Sequence, residues 1–374
     1  MEPIRVIHIL HSMNRGGAEN AIMNYYRHID RNKVQFDFLL TEPSKCQFED
    51  EILALGGRIY RVPRLTIKNP FLYLSNVWRF FKSHPEYHIV HSHTSSKSVF
   101  PLFIAKLVGI PVRISHSHGS MSEAGISGKI RDFLKPLLKL SATHFIACGH
   151  DAAIWLYGNR SLKKGKVLLF PNVIEADRFV YDKSVREKVR SYLGIKESTI
   201  VLGCTARFSA VKNHSFLITL FSEFHRTFKD SALLLVGDGE LKNDILKLIT
   251  ALDLQDSVII TGVVENVSEY EQAMDFFLLP SLNEGIPLSL IEAQVSGLRC
   301  VVSDGVPVES DKTGLVSFLS LGQGVDFWAD FIVKEIVYKR RSYLGEIKKA
   351  GYDAVTSSSK LQEFYQNTYI AGKY

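Results

Sequence analysis

Short apolar runs rich in β-branched residues alternate with longer stretches of helical periodicity along the whole chain. In the first half these runs predict strands at residues 4–10, 34–40, 58–62, 88–92, 112–116, 144–148 and 167–170. In the second half they predict strands at residues 199–204, 232–236, 258–261, 276–279 and 299–303. Strands that alternate with helices form βαβ units, so the pattern predicts an α/β protein with parallel sheets covered by helices on both faces.

The alternation is interrupted near residues 172–185, where the segment PNVIEADRF leads into a polar, helix-prone stretch. A length of 374 residues is typical of two domains. We therefore predict a first domain at residues 1–175, a second at 176–355 and a final helix at 356–374. That helix carries Leu361, Phe364, Tyr365 and Tyr369 at helical spacing, which indicates that it packs back toward the first domain.

The stretch from Asp275 to Asp304 concentrates the features of a binding site. A predicted buried strand is followed by a polar turn with Glu284, and then by an apolar helix that carries Glu292 and has Pro287 in its first turn. A buried carboxylate is costly unless it is paired, so Glu292 needs a partner. The free N–H groups of a helix start favour an anion. This stretch therefore indicates a site for a phosphorylated, hydroxyl-rich ligand; the alternative is a solvated turn beside a salt-bridged core glutamate.

Two other predicted strands end in residues suited to binding phosphate. Gly16 and Gly17 follow the first strand and precede a helix, where backbone can approach a ligand closely, although a plain turn is an alternative. The dinucleotide signature GxGxxG is absent. Arg207 and Lys212 follow the first strand of the second half. Two cations there could hold a diphosphate and stabilise it as a leaving group, or they could be solvated loop residues.

Two histidine clusters fall where strands of the first domain end. They are His91-Ser-His93 and His116-Ser-His118. Metal binding is the first chemistry to consider, but the clusters contain no clear i,i+4 histidine pair and no nearby acidic ligand. We therefore predict no metal site. A hydrogen bond from His118 to a ligand at the edge of the sheet is the favoured interpretation.

The positive charge lies in the first half of the chain. Residues 1–170 hold 23 Lys and Arg against 12 Asp and Glu, a net charge of +11, whereas residues 171–374 have a net charge of −5. The segment 124–140 places four cations beside an apolar face, with Pro136 expected to kink the helix. These cations are Lys129, Arg131, Lys135 and Lys139. We predict contact with an anionic membrane surface, an ordinary solvated surface helix being the alternative.

Further features favour a cytoplasmic protein at the inner face of the cell membrane. No window of about eighteen apolar residues is present, and the first residues enter a strand pattern without a cleavable signal. The four cysteines are widely separated and lack metal-ligand spacing, which is typical of reduced thiols. No motif for binding nucleic acid is recognisable, so nucleic acid is not an expected partner.

The chain resembles the retaining glycosyltransferases of family 4 over essentially its whole length. The strongest match is the motif of two glutamates separated by seven residues, Glu284 and Glu292, within SLNEGIPLSLIEA. Weaker matches are GGAE, SHSHG, PNVI, ARF followed by Lys212, and VGDGE, all in the order of the family. The resemblance implies the GT-B fold, in which two Rossmann-like domains with parallel sheets face each other across a cleft.

The same resemblance implies roles for the residues of the second domain. Glu292 would bind the ribose hydroxyls of a nucleotide-sugar donor, and backbone around Val264 would receive the base. Glu284 would hold the donor sugar and phosphate together with the backbone of the residues that follow it. Those residues are Gly285, Ile286, Pro287 and Leu288.

The remaining implied roles concern catalysis and the first domain. Arg207 and Lys212 would neutralise the diphosphate as it leaves, so no metal or other cofactor is expected. Gly16 and Gly17 would make room for the donor phosphates or the acceptor. His118 would contact the donor sugar near the reacting carbon.

These expectations define a metal-independent, retaining hexosyltransferase (EC 2.4). It would transfer a sugar from a nucleotide sugar, with UDP favoured by prevalence in the family, to a lipid-linked or oligosaccharide acceptor. The segment GVPVESDKTGLVSFLSL after Asp304 departs from the common family pattern and resembles the bacterial capsule and exopolysaccharide branch. Alternatives are a sugar-nucleotide epimerase of the same fold and a non-catalytic partner subunit. A nicotinamide oxidoreductase is disfavoured by the missing GxGxxG.

Overall fold

The computed structural model describes residues 2–66, 68–119 and 126–372. Within the basic segment 124–140, the first two residues lie outside the described ranges. The chain divides into two compact units, each with its own sheet and hydrophobic core. The first comprises Met1–Val173 and Ala354–Tyr374, and the second comprises Ile174–Asp353.

The first unit is built on a parallel sheet of seven strands in the order β3-β2-β1-β4-β5-β6-β7. Helices cover both of its faces, which is why its central strands are almost entirely buried. The strands are β1 (Ile4–Leu10), β2 (Val34–Leu40), β3 (Ile59–Arg61), β4 (Ile89–Ser92), β5 (Val112–Ser117), β6 (His144–Ala147) and β7 (Val167–Leu169). The helices are α1 (Gly17–His28), α2 (Glu49–Ala54), α3 (Pro70–Ser83), α4 (Val99–Val108), α5 (Ile126–Leu134), α6 (Leu138–Ser141), α7 (His150–Tyr157) and α8 (Asn159–Lys163).

The second unit contains a parallel sheet of six strands in the order β10-β9-β8-β11-β12-β13. Its strands are β8 (Ile200–Thr205), β9 (Ser231–Val236), β10 (Val258–Gly262), β11 (Phe276–Leu279), β12 (Arg299–Ser303) and β13 (Val316–Leu319). Its helices are α9 (Lys183–Tyr192), α10 (His214–Thr227), α11 (Lys242–Ala251), α12 (Val267–Ala273), α13 (Leu288–Val295), α14 (Gly324–Lys334) and α15 (Leu344–Lys349).

The last helix, α16 (Ala354–Ala371), belongs to the first unit, where it packs on α1. Ser358 Oγ donates to the carbonyl of Tyr25 at 3.2 Å, and the N–H of Asp30 donates to Gln362 Oε1 at 2.9 Å. Tyr365 is fully buried in the core of the unit. Side-chain burial, one hydrogen bond to α1 and one to the loop after it therefore hold this helix in place.

Two elements differ from the sequence predictions. Strand β13 was not predicted, because its four residues lie in the unusual segment after Asp304 and form no long apolar run. It pairs with β12 and forms one edge of the sheet. Helix α13 begins at Leu288, so Pro287 is its N-cap rather than a residue of its first turn.

A largely buried ionic cluster, with Asp275 partly exposed, fixes the start of β11 beside β8 in the second unit. The Asp275 carboxylate accepts hydrogen bonds from Arg186 and Arg190, each at 2.7 Å. It also accepts the N–H of Val201 in β8, again at 2.7 Å. Because buried charges are tolerated when they are paired and hydrogen-bonded, this cluster is a stable anchor. It sets the amino ends of β8 and β11 side by side.

Candidate functional site

The candidate site of the second unit lies where its strand order reverses. Strands β8, β9 and β10 extend in one direction along the sheet, and β11, β12 and β13 extend in the other. Ligands of parallel α/β sheets bind beyond the carboxyl ends of the strands at such a switch point. Here the switch point lies between β8 and β11, so the loops that follow these two strands form the candidate site.

Lys212 and Glu284, both predicted from sequence, meet at this point. Lys212 Nζ donates to Glu284 Oε1 at 2.5 Å, and the two side chains are 20% and 13% exposed. The loops that carry them are also joined through backbone, because the N–H of Leu282 donates to the carbonyl of Val211 at 2.8 Å. The structure thus holds a cation against the turn that precedes α13.

The segment after Asp304 supports the Glu284 turn. The N–H of Glu284 donates to the carbonyl of Gly305 at 3.0 Å. A Cβ atom on Gly305 would collide with the carbonyl oxygens of Ser281 and Leu282, so glycine permits this close approach. Gly305 therefore positions Glu284, a role that sequence reasoning missed because the segment was recognised only as a departure from the family pattern.

The start of α13 leaves backbone donors available. Pro287 caps the helix in extended conformation and makes no side-chain capping bond. The N–H groups of Gly285, Ile286 and Leu288 make no hydrogen bond with another described residue. Pro287 has no N–H, so its contribution is conformational. These free donors, with the positive end of the helix dipole, form a local environment suited to an anion.

Glu292 lies in α13 with a partly buried carboxylate. Its carboxylate makes no hydrogen bond or ion pair with any described residue, so the protein partner expected from sequence is not found in the described part of the chain. Burial raises the pKa of Glu292 to about 7, against an opposing effect of the Arg178 charge. Burial and the Glu292 charge also raise the pKa of neighbouring Glu271. A carboxylate without a protein partner is free to accept hydrogen bonds from ligand hydroxyl groups.

Arg207 is held apart from the Lys212–Glu284 pair by a contact of its own. Its side chain is 74% exposed and donates to Glu240 at 3.1 Å. The VGDGE turn packs tightly under this loop, because Cβ atoms on Gly237 and Gly239 would collide with the backbone of Ala206 and Phe208. Sequence reasoning grouped Arg207 with Lys212, whereas the structure pairs each of them with a different glutamate.

The loop after β10 is the predicted position of the base. Gly262 adopts a positive φ of 72°, and its carbonyl accepts the N–H of Gly237 at 3.0 Å. Val263 is exposed, whereas Val264 packs partly buried against the core of the second unit. The loops after β9 and β10 are therefore tied together; the contact between Val264 and a base stays a prediction.

In the first unit, Gly16 and Gly17 open helix α1. Gly16 is the N-cap residue, and no side chain caps the helix. A Cβ atom on Gly16 would collide with the Glu19 carboxylate, whereas a Cβ atom on Gly17 would meet no atom within 4 Å. The Glu19 carboxylate therefore occupies the space over Gly16, and Gly17 alone has free space beside it.

Five histidines lie on one face of the first sheet. His8 in β1 is the register partner of His91 in β4, and His93 lies two residues beyond His91. His116 and His118 lie two residues apart at the end of β5, which is the neighbour of β4. Side chains two residues apart point to the same face of a strand. Parallel pairing therefore assembles the array, and the contribution of His8 was not predicted from sequence.

His118 is bonded at both of its ring nitrogens. Nε2 lies 2.7 Å from His93 Nδ1, and Nδ1 lies 2.8 Å from Asn172 Oδ1. Burial lowers the pKa of His118 to about 4, although the bond to Asn172 acts in the opposite direction. The imidazole is therefore neutral at pH 7. The predicted contact with the donor sugar stays a prediction, and it requires one of these two bonds to be replaced.

The basic segment is broken rather than continuous. A 3₁₀ turn at Lys135–Leu137, which contains Pro136, separates α5 from α6. Lys135 is directed inward, because its Nζ lies 4.1 Å from the centre of the Trp155 ring and 2.8 Å from Asp132. Lys129 and Lys139 are exposed, and Arg131 is partly buried. Three apolar side chains near them are also exposed: Ile130, Phe133 and Leu140.

The helices were compared with the requirements of a membrane span, and the cysteines with those of a disulfide. None of the helices described in residues 2–66, 68–119 and 126–372 combines the length and apolar character needed to cross a membrane. All four cysteines are free thiols and are buried.

Two glycosyltransferase family models match consecutive segments of the chain. Glycosyltransferase Family 4 matches residues 15–178, and Glycosyl transferases group 1 matches residues 185–312. The chain is 36% identical over 368 residues to "Putative glycosyltransferase EpsF" of Bacillus subtilis (strain 168), covering 96% of each protein. It is 29% identical over 229 residues to the UDP-Gal:alpha-D-GlcNAc-diphosphoundecaprenol alpha-1,3-galactosyltransferase of Escherichia coli, covering 59% of this chain and 58% of that enzyme.

A solved structure shows the same fold. The crystal structure of Anabaena Alr3699/HepE in complex with UDP matches with a TM-score of 0.79 and 17% identity, covering 97% of this chain and all of that one. The near-complete match to the Bacillus relative, the two family descriptions and this structural likeness agree with one another. The chain belongs to glycosyltransferase family 4 and has the two Rossmann-like domains of the GT-B fold.

Proposed function

We propose that this glycosyltransferase moves a sugar from a UDP-sugar donor to a lipid-linked or oligosaccharide acceptor during synthesis of a surface polysaccharide, with retention of anomeric configuration. One arrangement carries the proposal. The turn between β11 and α13 holds Glu284 against Lys212 at 2.5 Å, while Glu292 in the same helix keeps a carboxylate without a described protein partner.

Glu292 is suited to recognise the ribose of the donor. Adjacent hydroxyl groups of a ribose can both donate to one carboxylate, and hydrogen bonds to an ionised acceptor are stronger than neutral ones. The carboxylate is already partly desolvated, so little further water has to be removed when the hydroxyl groups arrive. Ligand hydroxyl groups would thus supply the hydrogen bonds that the described protein residues do not.

Lys212, Arg207 and the start of α13 would together stabilise the leaving diphosphate. A diphosphate carries more negative charge than the single carboxylate of Glu284, so it competes well for Lys212. The pair between Arg207 and Glu240 is exposed to solvent, and exposed ion pairs contribute little to stability, so Arg207 can leave it at small cost. Fixed cations and helix dipoles aimed at developing charge are a large source of catalysis. We propose that they supply the charge that a divalent metal supplies elsewhere.

The choice of donor and acceptor rests on the comparisons and on sequence. HepE was crystallised with UDP, and the name of the Escherichia coli relative specifies a UDP-sugar donor and a diphosphoundecaprenol-linked acceptor. The segment after Asp304 resembles the capsule and exopolysaccharide branch of the family. Retention is proposed from the family resemblance alone. The sequence shows no carboxylate that is an obvious nucleophile, so the residues themselves do not indicate the stereochemistry.

A lipid-linked acceptor would place the enzyme at the inner face of the cell membrane as a peripheral protein. Exposed Lys129 and Lys139 lie in the same segment as exposed Ile130, Phe133 and Leu140. Cations attract anionic headgroups and apolar side chains enter the interface, so such a combination favours membrane contact.

A transfer assay tests the proposal. Purified enzyme is incubated with UDP-glucose, UDP-galactose or their N-acetyl derivatives, together with membrane lipids extracted from the native host, with and without EDTA. We expect one donor to yield a glycosylated lipid whose new linkage is α by NMR, with an unchanged rate in EDTA. Glu284→Gln and Glu292→Gln should reduce transfer, whereas Glu187→Gln, which changes an exposed carboxylate of α9, should not.

Four outcomes would contradict parts of the proposal. A β linkage would overturn retention, and a rate abolished by EDTA would overturn metal independence. Conversion of the donor in the absence of acceptor would indicate epimerisation instead. Activity of Glu284→Gln equal to that of the wild type would remove the proposed donor site.

A further inference from the structure

The histidine array of the first unit contains hydrogen-bonding groups that the transfer reaction does not use. Each imidazole has two nitrogens, and eight of the ten nitrogens in the array have a side-chain partner. The two exceptions are His8 Nε2 and His116 Nε2, which are buried and bonded to no described group. An unpaired buried polar atom costs about 1–3 kcal/mol, so a missing ligand is a physical explanation for such an atom.

Two overlapping sets of three histidines bring one nitrogen from each residue within 4.8 Å of the others. The sets are His8, His91 and His93, and His93, His116 and His118. A cavity of about 10 Å³ is lined by all five imidazoles and by Tyr365, together with six further, mostly apolar residues: Ala21, Ile22, Tyr25, Phe36, Phe170 and Leu361. That volume is about the minimum that holds one water molecule, so it excludes an organic ligand but admits a bare cation.

The surroundings distinguish the two sets. Histidines that bind a metal through one nitrogen nearly always donate the other N–H to an acceptor, which fixes the ring. In the second set, His118 Nδ1 faces Asn172 Oδ1 at 2.8 Å, and His93 Nε2 faces His8 Nδ1 at 2.9 Å. His116 Nδ1 faces His91 Nε2 at 3.1 Å, and His91 Nδ1 in turn faces the hydroxyl of Tyr365 at 2.6 Å.

All three histidines of the second set therefore have an outer partner at one nitrogen and could offer the second to a metal, which would replace the hydrogen bond between the second nitrogens of His93 and His118. The three second nitrogens are His93 Nδ1, His118 Nε2 and His116 Nε2. In the first set, His8 lacks an outer partner at Nε2. The geometry points to a divalent transition-metal site, of the zinc type, formed by His93, His116 and His118, with Asn172, His8 and His91 as outer partners.

The donor chemistry agrees with this assignment. Neutral imidazole is a preferred ligand of Zn²⁺, Cu²⁺, Ni²⁺ and Co²⁺, whereas Mg²⁺ and Ca²⁺ prefer oxygen. His93 Nδ1 and His118 Nε2 lie 2.7 Å apart. Tetrahedral Zn–N bonds of about 2.0–2.1 Å require roughly 3.3 Å between ligand nitrogens, so the two rings would separate slightly.

This site explains why sequence spacing gave no metal signature. Ligands on one helix recur every three or four residues, whereas these come from the ends of β4 and β5 and meet because those strands are parallel neighbours. Lys212, Arg207 and the Glu284 turn take no part in it. The inference therefore does not depend on the donor site of the second unit, but it assigns His118 to the metal in place of the predicted contact with the donor sugar.

Metal titration of the full-length, untagged chain tests the proposal. The protein is stripped with a chelator, and Co²⁺ is then added while the visible absorption of the metal is recorded, followed by competition with Zn²⁺. We expect one Co²⁺ per chain, absorption bands of tetrahedral Co²⁺, and displacement by Zn²⁺, which binds more tightly. Zn²⁺ should also raise the unfolding temperature.

Variants separate this site from other histidines. His93→Gln and His116→Gln should abolish the cobalt bands, and His11→Gln, which alters an exposed histidine, should leave them unchanged. Asn172→Ala keeps all three ligands and should weaken binding by about 10- to 100-fold, so it tests the site even if a ligand variant fails to fold. The absence of stoichiometric binding by the wild type would overturn the proposal and leave a purely hydrogen-bonded array. Unchanged binding by Asn172→Ala and His116→Gln would likewise overturn it.

Discussion

Lys212 Nζ donates to Glu284 Oε1 at 2.5 Å, which joins two residues 72 positions apart in the chain. The contact exists because β8 and β11 are neighbours in the second sheet, so that the loops at their carboxyl ends lie together. With its cation paired, the site carries little net charge until a more highly charged ligand competes for Lys212. The pair therefore links the local fold directly to the proposed chemistry.

Replacing Lys212 by methionine should affect both stability and transfer. The change leaves the Glu284 carboxylate, which is mostly buried, without its charged donor; hydrogen bonds to charged groups contribute about 1.5–3 kcal/mol. Loss of one stabilising group at the reaction centre should reduce kcat by about 10²–10³-fold. Urea unfolding and initial rates measure the two effects. Lys247→Met, which alters an exposed lysine, is the control and should change unfolding by less than about 0.5 kcal/mol. Transfer by Lys212→Met at the wild-type rate would exclude a catalytic role for the cation.

The raised pKa of Glu292 predicts a pH-dependent stability. In the folded protein this pKa is about 7, compared with 4.5 for the unperturbed group. The folded state therefore holds the proton more tightly than the unfolded state, so stability falls as pH rises from about 4.5 to about 7. Glu292→Gln removes this penalty. It should be more stable than the wild type at pH 8 and nearly equal to it at pH 4.5, as measured by urea unfolding across that range. A stability difference that is constant with pH would show that Glu292 ionises normally.

Gly305 offers a test of how the Glu284 turn is supported. Alanine at this position would press its Cβ against the carbonyls of Ser281 and Leu282, and overpacking of this kind costs about 1–3 kcal/mol. Displacement of the turn should lower the transfer rate by roughly 10- to 100-fold, since small misplacements are costly in catalysis. Gly345→Ala is the matched control, because a Cβ there meets no atom within 4 Å. Equal activity of the two variants would contradict a supporting role for the segment after Asp304.

Membrane contact can be tested with matched changes of charge. Lys129→Ser/Lys139→Ser should weaken binding to vesicles that contain anionic lipid by about 30-fold, since each lysine near such a surface contributes about 1 kcal/mol. Lys135→Ser should have a smaller effect, because Lys135 is 18% exposed and lies against Trp155. Lys188→Ser/Lys229→Ser is the control, because it makes the same change of charge on exposed lysines of the second unit. Vesicle sedimentation measures all three. Equal binding by the wild type and the Lys129/Lys139 variant would refute the proposed contact.

The sequence predicted the parallel α/β architecture because short, β-rich apolar runs alternate with stretches of helical periodicity. It also predicted Glu284 and Lys212 as site residues, since each follows a strand and lies near a helix start. Their contact with each other could not be predicted, because it depends on which strands become neighbours. Strand β13 was missed because a four-residue edge strand gives a weak pattern.

The histidine array could not be predicted from sequence for the same reason. His91 and His93 were recognised as a pair, as were His116 and His118, but the two pairs were weighed separately. His8 and Tyr365 were not considered with them, since they lie far away in sequence and reach the array only through β1 and α16. Short-range spacing reveals metal sites on single helices; sites shared between strands require knowledge of sheet order.

The central claim is that the second unit binds a nucleotide sugar through Glu292 and the Glu284 turn. The most direct test is the unfolding temperature of the wild type and of Glu292→Ala with UDP, GDP, ADP or CDP present. A ligand that binds only the folded state raises that temperature by mass action. We predict that UDP stabilises the wild type more than the other three do, and that Glu292→Ala loses most of this effect. No stabilisation of the wild type by any of the four, or equal stabilisation of both proteins by UDP, would contradict the assignment of the donor site.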